Sequence, residues 1–299
     1  MLVNFPILYI EINYDELIFV VVKNNETDQF EYLHKKVIPI EGFGNNKIID
    51  HQLVQNIIKK NVFDIEQKLE LVFTEVILIL DDFNCVTNNL SGYKKLNGSQ
   101  LVRENVTYLL NSLKQKIIEI ENTKKVLHIF NTKYLLDKKN VENLPLGLFG
   151  NFYVQELSFF LINSSDFKNL DLIIQRCNLK LKKIISKSFI EGVNLISNHN
   201  SETFFKIKIH KNNTKLIFFE NSSLKFIQNF DFGSDIILKD VTKITSLEID
   251  DVKKILQNND LFNENYIDEC LDKSFFQNKN FRKIKIKLIK DIVGARIKE

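Results

Sequence analysis

Apolar positions come as short β-branched bursts at the amino end and at helical spacing further on. Ile7 to Ile12 and Leu17 to Lys23 are separated by the polar Asn13-Tyr14-Asp15-Glu16, a hairpin signal, and Leu33 to Ile40 reads as a third strand. An amino-terminal meander is predicted. After Gly42 and Gly44, Ile48-Ile49 form a short apolar step, and Asp50 opens a helix with Leu53, Val54, Ile57 and Ile58 on one face. The nearly continuous apolar run Glu75 to Leu80 predicts a strand buried on both faces and the start of a new unit. In that unit Asn88 to Gly92 reads as a turn. Ser99 reads as the cap of a helix carrying Leu101, Val102, Val106, Leu109, Leu110, Leu113 and Ile117. Val126 to Phe130 and Lys133 to Leu136 read as strands, and Asp137 to Glu142 as a polar turn.

The segment Glu142 to Leu179 punctuates the chain. Pro145, Gly147 and Gly150 fall within six residues of a sequence with three prolines and nine glycines, so they mark a specified turn. Phe152 to Ile162 follows as a strand, and Ser164 or Ser165 caps a helix through Cys177. Strand, helix, strand, strand, helix is an α+β module of roughly 100 residues. Beyond it, Lys182 to Phe189 reads as a strand, Ile190 to Ile196 as a short helix, and Phe204 to Ile209 with Leu216 to Phe219 as a hairpin. Leu224 to Phe230 is a further strand, Gly233 a turn, and helices dominate from Ile236 onward. A second meander followed by helices repeats the opening plan, with the module inserted into the first half.

Composition narrows the function classes. The 299 residues suit two or more domains. The 41 basic and 38 acidic residues are interspersed, giving +3, so nucleic acid is not an expected partner. Cys85, Cys177 and Cys270 are far apart, which argues against a disulfide scaffold or a structural zinc and for a reducing compartment. The amino end lacks signal-peptide features and no run approaches the ~20 apolar residues of a membrane span, so a cytosolic chain is expected. GxSxG, HExxH and P-loop motifs are absent, and His128 and His210 have no partners at ligand spacing. Neither catalytic nor metal-ligating residues are therefore expected.

Two meander-plus-helix halves with one insertion resemble the α/β, ribonuclease H-like fold of the actin-like ATPases, and particular residues resemble the bacterial cell-division family FtsA. Glu41-Gly42-Phe43-Gly44 and Lys47-Ile48-Ile49-Asp50 match that family's opening glycine step. Pro145-Leu146-Gly147-Leu148 and Gly150, preceded by Tyr134 to Asp137, match the turn of its inserted SHS2 module, with Leu for Met. Phe232-Gly233-Ser234-Asp235 with Asp240 resemble its third loop, Asp251 to Lys254 its acidic-then-lysine helix, and Ala295-Arg296 its alanine-arginine pair. The resemblance implies a first lobe over 1–76 and 181–199, the SHS2-like module over 77–180, and a second lobe over 200–299. It implies an adaptor that binds the C-terminal tail of FtsZ at the inner face of the cell membrane at the division site. Such an adaptor self-associates through actin-like contacts, meets other division proteins through the module, and holds ATP and magnesium between its halves.

Departures from the family qualify that picture. Its first phosphate loop, Asp-Ile-Gly-Thr, is Glu11-Ile12-Asn13-Tyr14 here, and its second, Asp-Ile-Gly-Gly-Gly-Thr-Thr, is Lys208-Ile209-His210-Lys211-Asn212-Asn213-Thr214. Glycines that let backbone N–H groups approach phosphate are missing, and Lys208 stands where an aspartate organises metal. Weak or absent ATP binding without hydrolysis is the expectation, with Glu11, Asn13, Tyr14, Lys208, Thr214, Gly233, Ser234, Asp251 and Lys254 as candidate nucleotide contacts and Lys208 and Lys211 facing any phosphate. The plainer alternative makes Glu11 and Asp15 solvated turn residues, and Asp240, Asp251 and Lys254 helix caps or exposed pairs. Measured against the family, the chain stops at Glu299 before an adenine-contacting segment and an amphipathic membrane helix, which reads as a C-terminal truncation. The basic cluster Arg282, Lys283, Lys285, Lys287 and Lys290 is either a lipid-facing substitute for that helix or the wet side of a partly buried one. Phe275, Phe276 and Phe281 read as core or as a contact for the FtsZ tail. Two rivals are the pilus-assembly protein PilM, which shares the fold and an inserted module, and an active actin-like ATPase, which the missing glycines disfavour.

Overall fold

Alternation sets the first sheet. In β1 (Ile7–Ile12) and β2 (Glu16–Asn24) every second residue is buried, Leu8, Ile10 and Ile12 on one strand and Leu17, Phe19 and Val21 on the other. The computed structural model describes residues 5–13, 16–24, 30–44, 47–81, 83, 85–199, 201–257, 269–276 and 283–298. β3 (Phe30–Pro39) pairs antiparallel with β2 and forms an edge on which Lys35 and Lys36 discourage further pairing. A ribbon of β4 (Phe43–Gly44) and β5 (Lys47–Ile48) leads into α1 (His51–Leu69). Gly42, at φ +77°, turns its carbonyl to accept from Ile49 and Asp50 N–H, and the Asp50 side chain caps α1 by accepting from Leu53 N–H at 2.9 Å. The helix predicted to open at Asp50 is there.

β6 (Glu75–Leu80), expected to open a new unit, is instead an inner strand of this first sheet. Next come β7 (Cys85–Lys95), α2 (Arg103–Ile120), β8 (Lys124–Leu136), β9 (Lys139–Val141), β10 (Phe152–Asn163) and α3 (Ser164–Arg176), then β11 (Lys180–Ser186) and α4 (Lys187–His199). The first sheet runs β11-β6-β1-β2-β3, with β11, β6 and β1 parallel; a second sheet runs β7-β10-β8-β9. Tyr153, Leu157, Phe159 and Leu161 of β10 pack with Leu109, Leu113 and Ile117 of α2, whereas Phe160 and Ile162 face the core of the first sheet. β10 therefore serves two cores.

Several local expectations give way here. Asn88 to Gly92 is not a turn but the middle of β7, paired along its length with β10; Gly92 leaves room for Leu109 and Leu113 of α2. Ser99 does not cap α2: its hydroxyl donates to Leu96 O, and the helix starts only at Arg103, with Val102 as an N-cap that makes no side-chain bond. The two strand segments between Val126 and Leu136 are one strand, β8. Lys187 to Phe189, expected to finish a strand, begin α4. The proline-glycine turn holds as specified: Gly147, at φ +81°, donates to Leu101 O at 2.9 Å, and Asp137 Oδ1 accepts from Asn151 and Phe152 N–H, both at 2.8 Å.

Beyond α4, β12 (Phe204–Ile209), β13 (Thr214–Glu220) and β14 (Ser223–Phe230) form a third sheet, followed by α5 (Ser234–Thr245), α6 (Ile249–Gln257) and α7 (Ile286–Lys298). The chain forms two compact units, Met1–Phe205 with Ile217–Ile227 and Lys206–Leu216 with Gln228–Glu299. Ile217, Phe219 and Leu224 join the first core. The second unit has its own core, in which Val241, Val252, Ile255, Leu271, Ile289 and Ile292 are buried. Phe275 and Phe276 pack against that core as partly buried residues, while Phe281 and Arg282 lie outside the described residues. Lys283, Lys285, Lys287 and Lys290 are exposed and alternate with buried Ile284, Ile286 and Ile289, the wet side of a partly buried segment.

Candidate functional site

In the first unit, three parallel strands end at one level. The register pairs Glu11 with Ile79 and Ser186 with Leu80, so Glu11 and Asn13, Asp81 just past β6, and Lys187 just past β11 all emerge at the carboxyl edge of the sheet. Ligands of open α/β sheets bind at such edges. Asp81 N–H donates to Ile12 O at 3.1 Å, which fixes the loop after β6 against the end of β1.

A lysine fills the middle of this edge. Lys187 Nζ donates to Glu11 Oε1 at 2.6 Å and to Asn13 Oδ1 at 2.8 Å, and lies 3.6 Å from Asp81 Oδ2. The Lys187 and Glu11 side chains are 22% and 19% exposed and that of Asp81 only 5%, so the charges meet where water screens them little. Burial by itself lowers the pKa of the ammonium, but the hydrogen bond to Glu11 and the charges of Asp81, Glu11 and Glu191 outweigh it and raise the pKa above its usual value. Lys187 is also the first residue of α4, where the helix dipole disfavours a cation, so these acceptors hold it against that field.

In the second unit, the loop between β12 and β13 closes on itself and on the start of α5. His210 N–H donates to Asn213 O at 2.8 Å, and Thr214 Oγ1 donates to Phe232 O at 2.8 Å. Ser234 and Asp235 N–H, the donors a helix start offers to an anion, donate instead to His210 O and Lys211 O, each at 2.9 Å. Gly233 makes this approach feasible: a Cβ there would lie 2.2 Å from His210 O. Its backbone is extended, so close contact rather than an unusual φ requires the glycine.

The candidate contacts thus divide by unit. Glu11 and Asn13 meet at Lys187, while Tyr14 and Asp15 lie outside the described residues. Thr214, Gly233 and Ser234 cluster at the second loop, and half-buried Lys208 lies on β12 leading into it. Asp251 and Lys254 lie apart from that cluster in sequence, on α6, Asp251 buried in the first turn and Lys254 exposed. Asp240 and Arg296, both marked by the family resemblance, form an ion pair that ties α7 to α5. Sequence reading misses Lys187 and Asp81. Their only signal is position, each directly after an apolar strand, because a pairing 176 residues apart leaves no local trace.

Magnesium bound through phosphate needs free oxygen ligands, and an anion cradle needs free N–H groups. At the first loop the oxygens of Glu11 and Asn13 are held by Lys187, and at the second loop the helix-start N–H groups are held by carbonyls, so the residues present do not fit a magnesium–phosphate group. Among the described residues no group of three or more His, Cys, Asp or Glu side chains is placed to hold a metal, and no helix is long and apolar enough to cross a membrane.

No family model matches the chain. Over 215 residues it is 19% identical to the cell division protein FtsA of Buchnera aphidicola subsp. Schizaphis graminum (strain Sg), which covers 72% of this chain and 51% of that protein. The chain thus spans about half the length of the curated relative it matches. Among solved structures, the PilM-PilN type IV pilus biogenesis complex matches with a TM-score of 0.56 at 9% identity, over 85% of this chain and 70% of that one. The ethanolamine utilization protein EutJ of Carboxydothermus hydrogenoformans matches with a TM-score of 0.44 at 7% identity, over 99% of this chain and 68% of that one. The chain is actin-like in fold and similar to FtsA in sequence.

Proposed function

We propose that this chain is an actin-like adaptor of the cell-division type, which binds the C-terminal tail of FtsZ at the inner membrane face, self-associates, and does not hydrolyse ATP. The observation that carries the scaffold reading is Lys187, held by Glu11, Asn13 and Asp81 where a nucleotide-bound metal requires free oxygens. The partner reading rests on the sequence similarity to FtsA. On this reading the sheet of β7 to β10 with α2 is the SHS2-like inserted module and meets other division proteins. Glu11, Asn13, Tyr14, Lys208, Thr214, Gly233, Ser234, Asp251 and Lys254 are then vestiges of a nucleotide site. The membrane is reached indirectly or through a segment beyond this sequence.

The second unit offers a receptive surface. A groove of about 610 Å³ between α5, α6 and α7 has Ile237, Leu238, Leu256 and Val293 on its floor and Lys253 and Lys290 on its rim. Apolar anchors with acidic flanks suit it.

Affinity of the purified chain for an FtsZ C-terminal peptide, measured by fluorescence anisotropy beside a PilN peptide and a fluorescent ATP analogue with and without Mg²⁺, tests the proposal. Saturable binding of the FtsZ peptide, weakened by Lys253→Glu, is the expected result. Preference for the PilN peptide would favour the pilus-type reading, which the fold match to PilM motivates. Mg²⁺-dependent turnover abolished by Glu11→Ala would overturn the scaffold reading.

A further inference from the structure

We propose that the amino edge of the first sheet docks a second copy of this chain, the two copies related by a two-fold axis. At this edge, opposite the one that carries Lys187, four large apolar residues stand out into solvent: Val72 is 84% exposed, Phe5 and Tyr32 76%, and Phe30 66%. Phe5, Phe30 and Val72 border a hollow of about 700 Å³ floored by Ile7, Tyr9, Val22 and Ile77. The register puts the floor on one sheet face, with Ile7 and Tyr32 opposite Val22 and Tyr9 beside Ile77, while Leu8, Val21 and Val76 on the other face belong to the core. Single exposed apolar residues are ordinary, but several gathered round an apolar hollow mark an interaction site. The loop that presents Val72 is fixed in advance. Glu66 O accepts from Leu71 N–H at 3.1 Å, Glu66 Oε1 from Phe73 N–H at 2.8 Å, and Thr74 O from Lys180 N–H at 2.9 Å. A preformed loop lowers the ordering cost of docking.

Shape and charge select a second copy as the occupant. Knobs and hollow lie on the same surface, as an isologous pair requires, so Phe30 and Val72 of one copy can enter the hollow of the other. The charges are divided in the same way. Lys182 and Lys180 share the Glu75 carboxylate at 2.9 and 3.8 Å, which leaves one ammonium in excess, whereas Glu70 on the same rim has no ion pair among the described residues. A two-fold axis through the hollow brings the lysines of one copy to Glu70 of the other, a contact that sets orientation more than affinity. An acidic partner, a basic partner or an anionic lipid surface would meet one of the two with the wrong sign. The inference deepens the self-association proposed above and rests on that part of the reading alone.

Sedimentation equilibrium of the purified chain tests it. The wild-type chain is expected to pass from monomer to dimer with a Kd of about 10 μM, and Val72→Glu and Phe30→Asp, each at an exposed position, to weaken the dimer about tenfold or more. Glu70→Lys and Lys182→Glu should each weaken it several-fold, because each sets like charges against each other across the axis. A mixture of those two chains should pair as wild type does, since both contacts are then restored. A wild-type chain still monomeric at about 200 μM would overturn the proposal, as would a dimer that Val72→Glu and Phe30→Asp leave unchanged or a mixture that pairs no better than its components. Species larger than a dimer that these variants do not alter would assign self-association to head-to-tail contacts, overturning this surface and leaving the adaptor reading intact. Binding of the FtsZ peptide to Val72→Glu, followed by anisotropy, reports on that reading separately.

Discussion

Gly192 meets the tip of the Phe219 ring, so close that a Cβ on it would lie 2.0 Å from Phe219 Cζ and 2.2 Å from Cε2. The ring has nowhere to retreat: it is fully buried and stacks on Phe204 at 5.1 Å with 5° between the planes. Gly192→Ala sets two effects against each other. Alanine favours the helix by about 1 kcal/mol, and overpacking costs about 1–3 kcal/mol or more. The clash is with a rigid ring, so we expect net destabilisation of about 2 kcal/mol in urea unfolding. Phe219→Leu introduced with it should recover part of the loss, a coupling that a double-mutant cycle reads directly.

Removing the ammonium at Lys187 leaves the Glu11 and Asp81 carboxylates facing each other in a poorly solvated place. Lys187→Met should cost about 2–3 kcal/mol in the absence of divalent ions, and chemical denaturation measures it. Because the folded-state pKa of this lysine is raised, its contribution is complete below the ordinary lysine value of 10.5 and disappears as pH rises through the higher folded value. Melting curves from pH 9 to pH 12 should therefore fall more steeply for wild type than for Lys187→Met, and equal slopes would refute the assignment.

His128 behaves in the opposite sense. Its ring stacks against Phe160 at 5.8 Å and Phe189 at 6.2 Å, and burial, helped by the charge of Lys183, lowers its pKa to about 4. Protonation therefore favours the unfolded chain. The stability this neutral ring preserves is present above the unfolded value of 6.5 and is lost as pH falls from there towards about 4. His128→Phe should flatten the acid limb of the stability profile by up to about 1 kcal/mol per pH unit in that window. Melting temperatures of both chains at pH 4.5, 5.5 and 7 give the comparison.

Gly233→Ala should loosen the start of α5, because a methyl group cannot share space with His210 O and Lys211 O. We expect faster hydrogen exchange at the Ser234 and Asp235 amides and a stability loss of about 1–3 kcal/mol confined to the second unit. Unchanged protection of those two amides would show that the loop carbonyls do not hold the helix start.

The parts legible in the sequence are those set by short-range rules. Leu8, Ile10 and Ile12 alternate and are buried alternately, Asp50 caps, and Gly147 turns, because each depends on neighbours within a few residues. Asn88 to Gly92 misled because asparagine, serine and glycine favour turns locally, whereas pairing with β10 on one side and the need for a small residue under Leu109 on the other overrode that preference. Ser99 misled for a related reason: its hydroxyl had a nearer carbonyl, that of Leu96. At the candidate site the scarcity of glycine at Glu11 to Tyr14 and Lys208 to Thr214 is legible in the sequence. The lysine that meets Glu11 and Asn13 is not, since Lys187 reaches Glu11 only after two parallel crossovers bring β11 and β1 to either side of β6.

β10 has a consequence for how the molecule comes apart. With Phe159 on one side and Phe160 on the other each almost wholly shielded, the strand cannot leave the α2 side without also stripping the first sheet of its cover. The inserted segment is therefore no detachable cassette. Deleting it or swapping it for a relative's would expose apolar surface on what remains, and the slowest-exchanging amides of the first unit should lie along β10, opening together with those of β1 and β6 in one cooperative event.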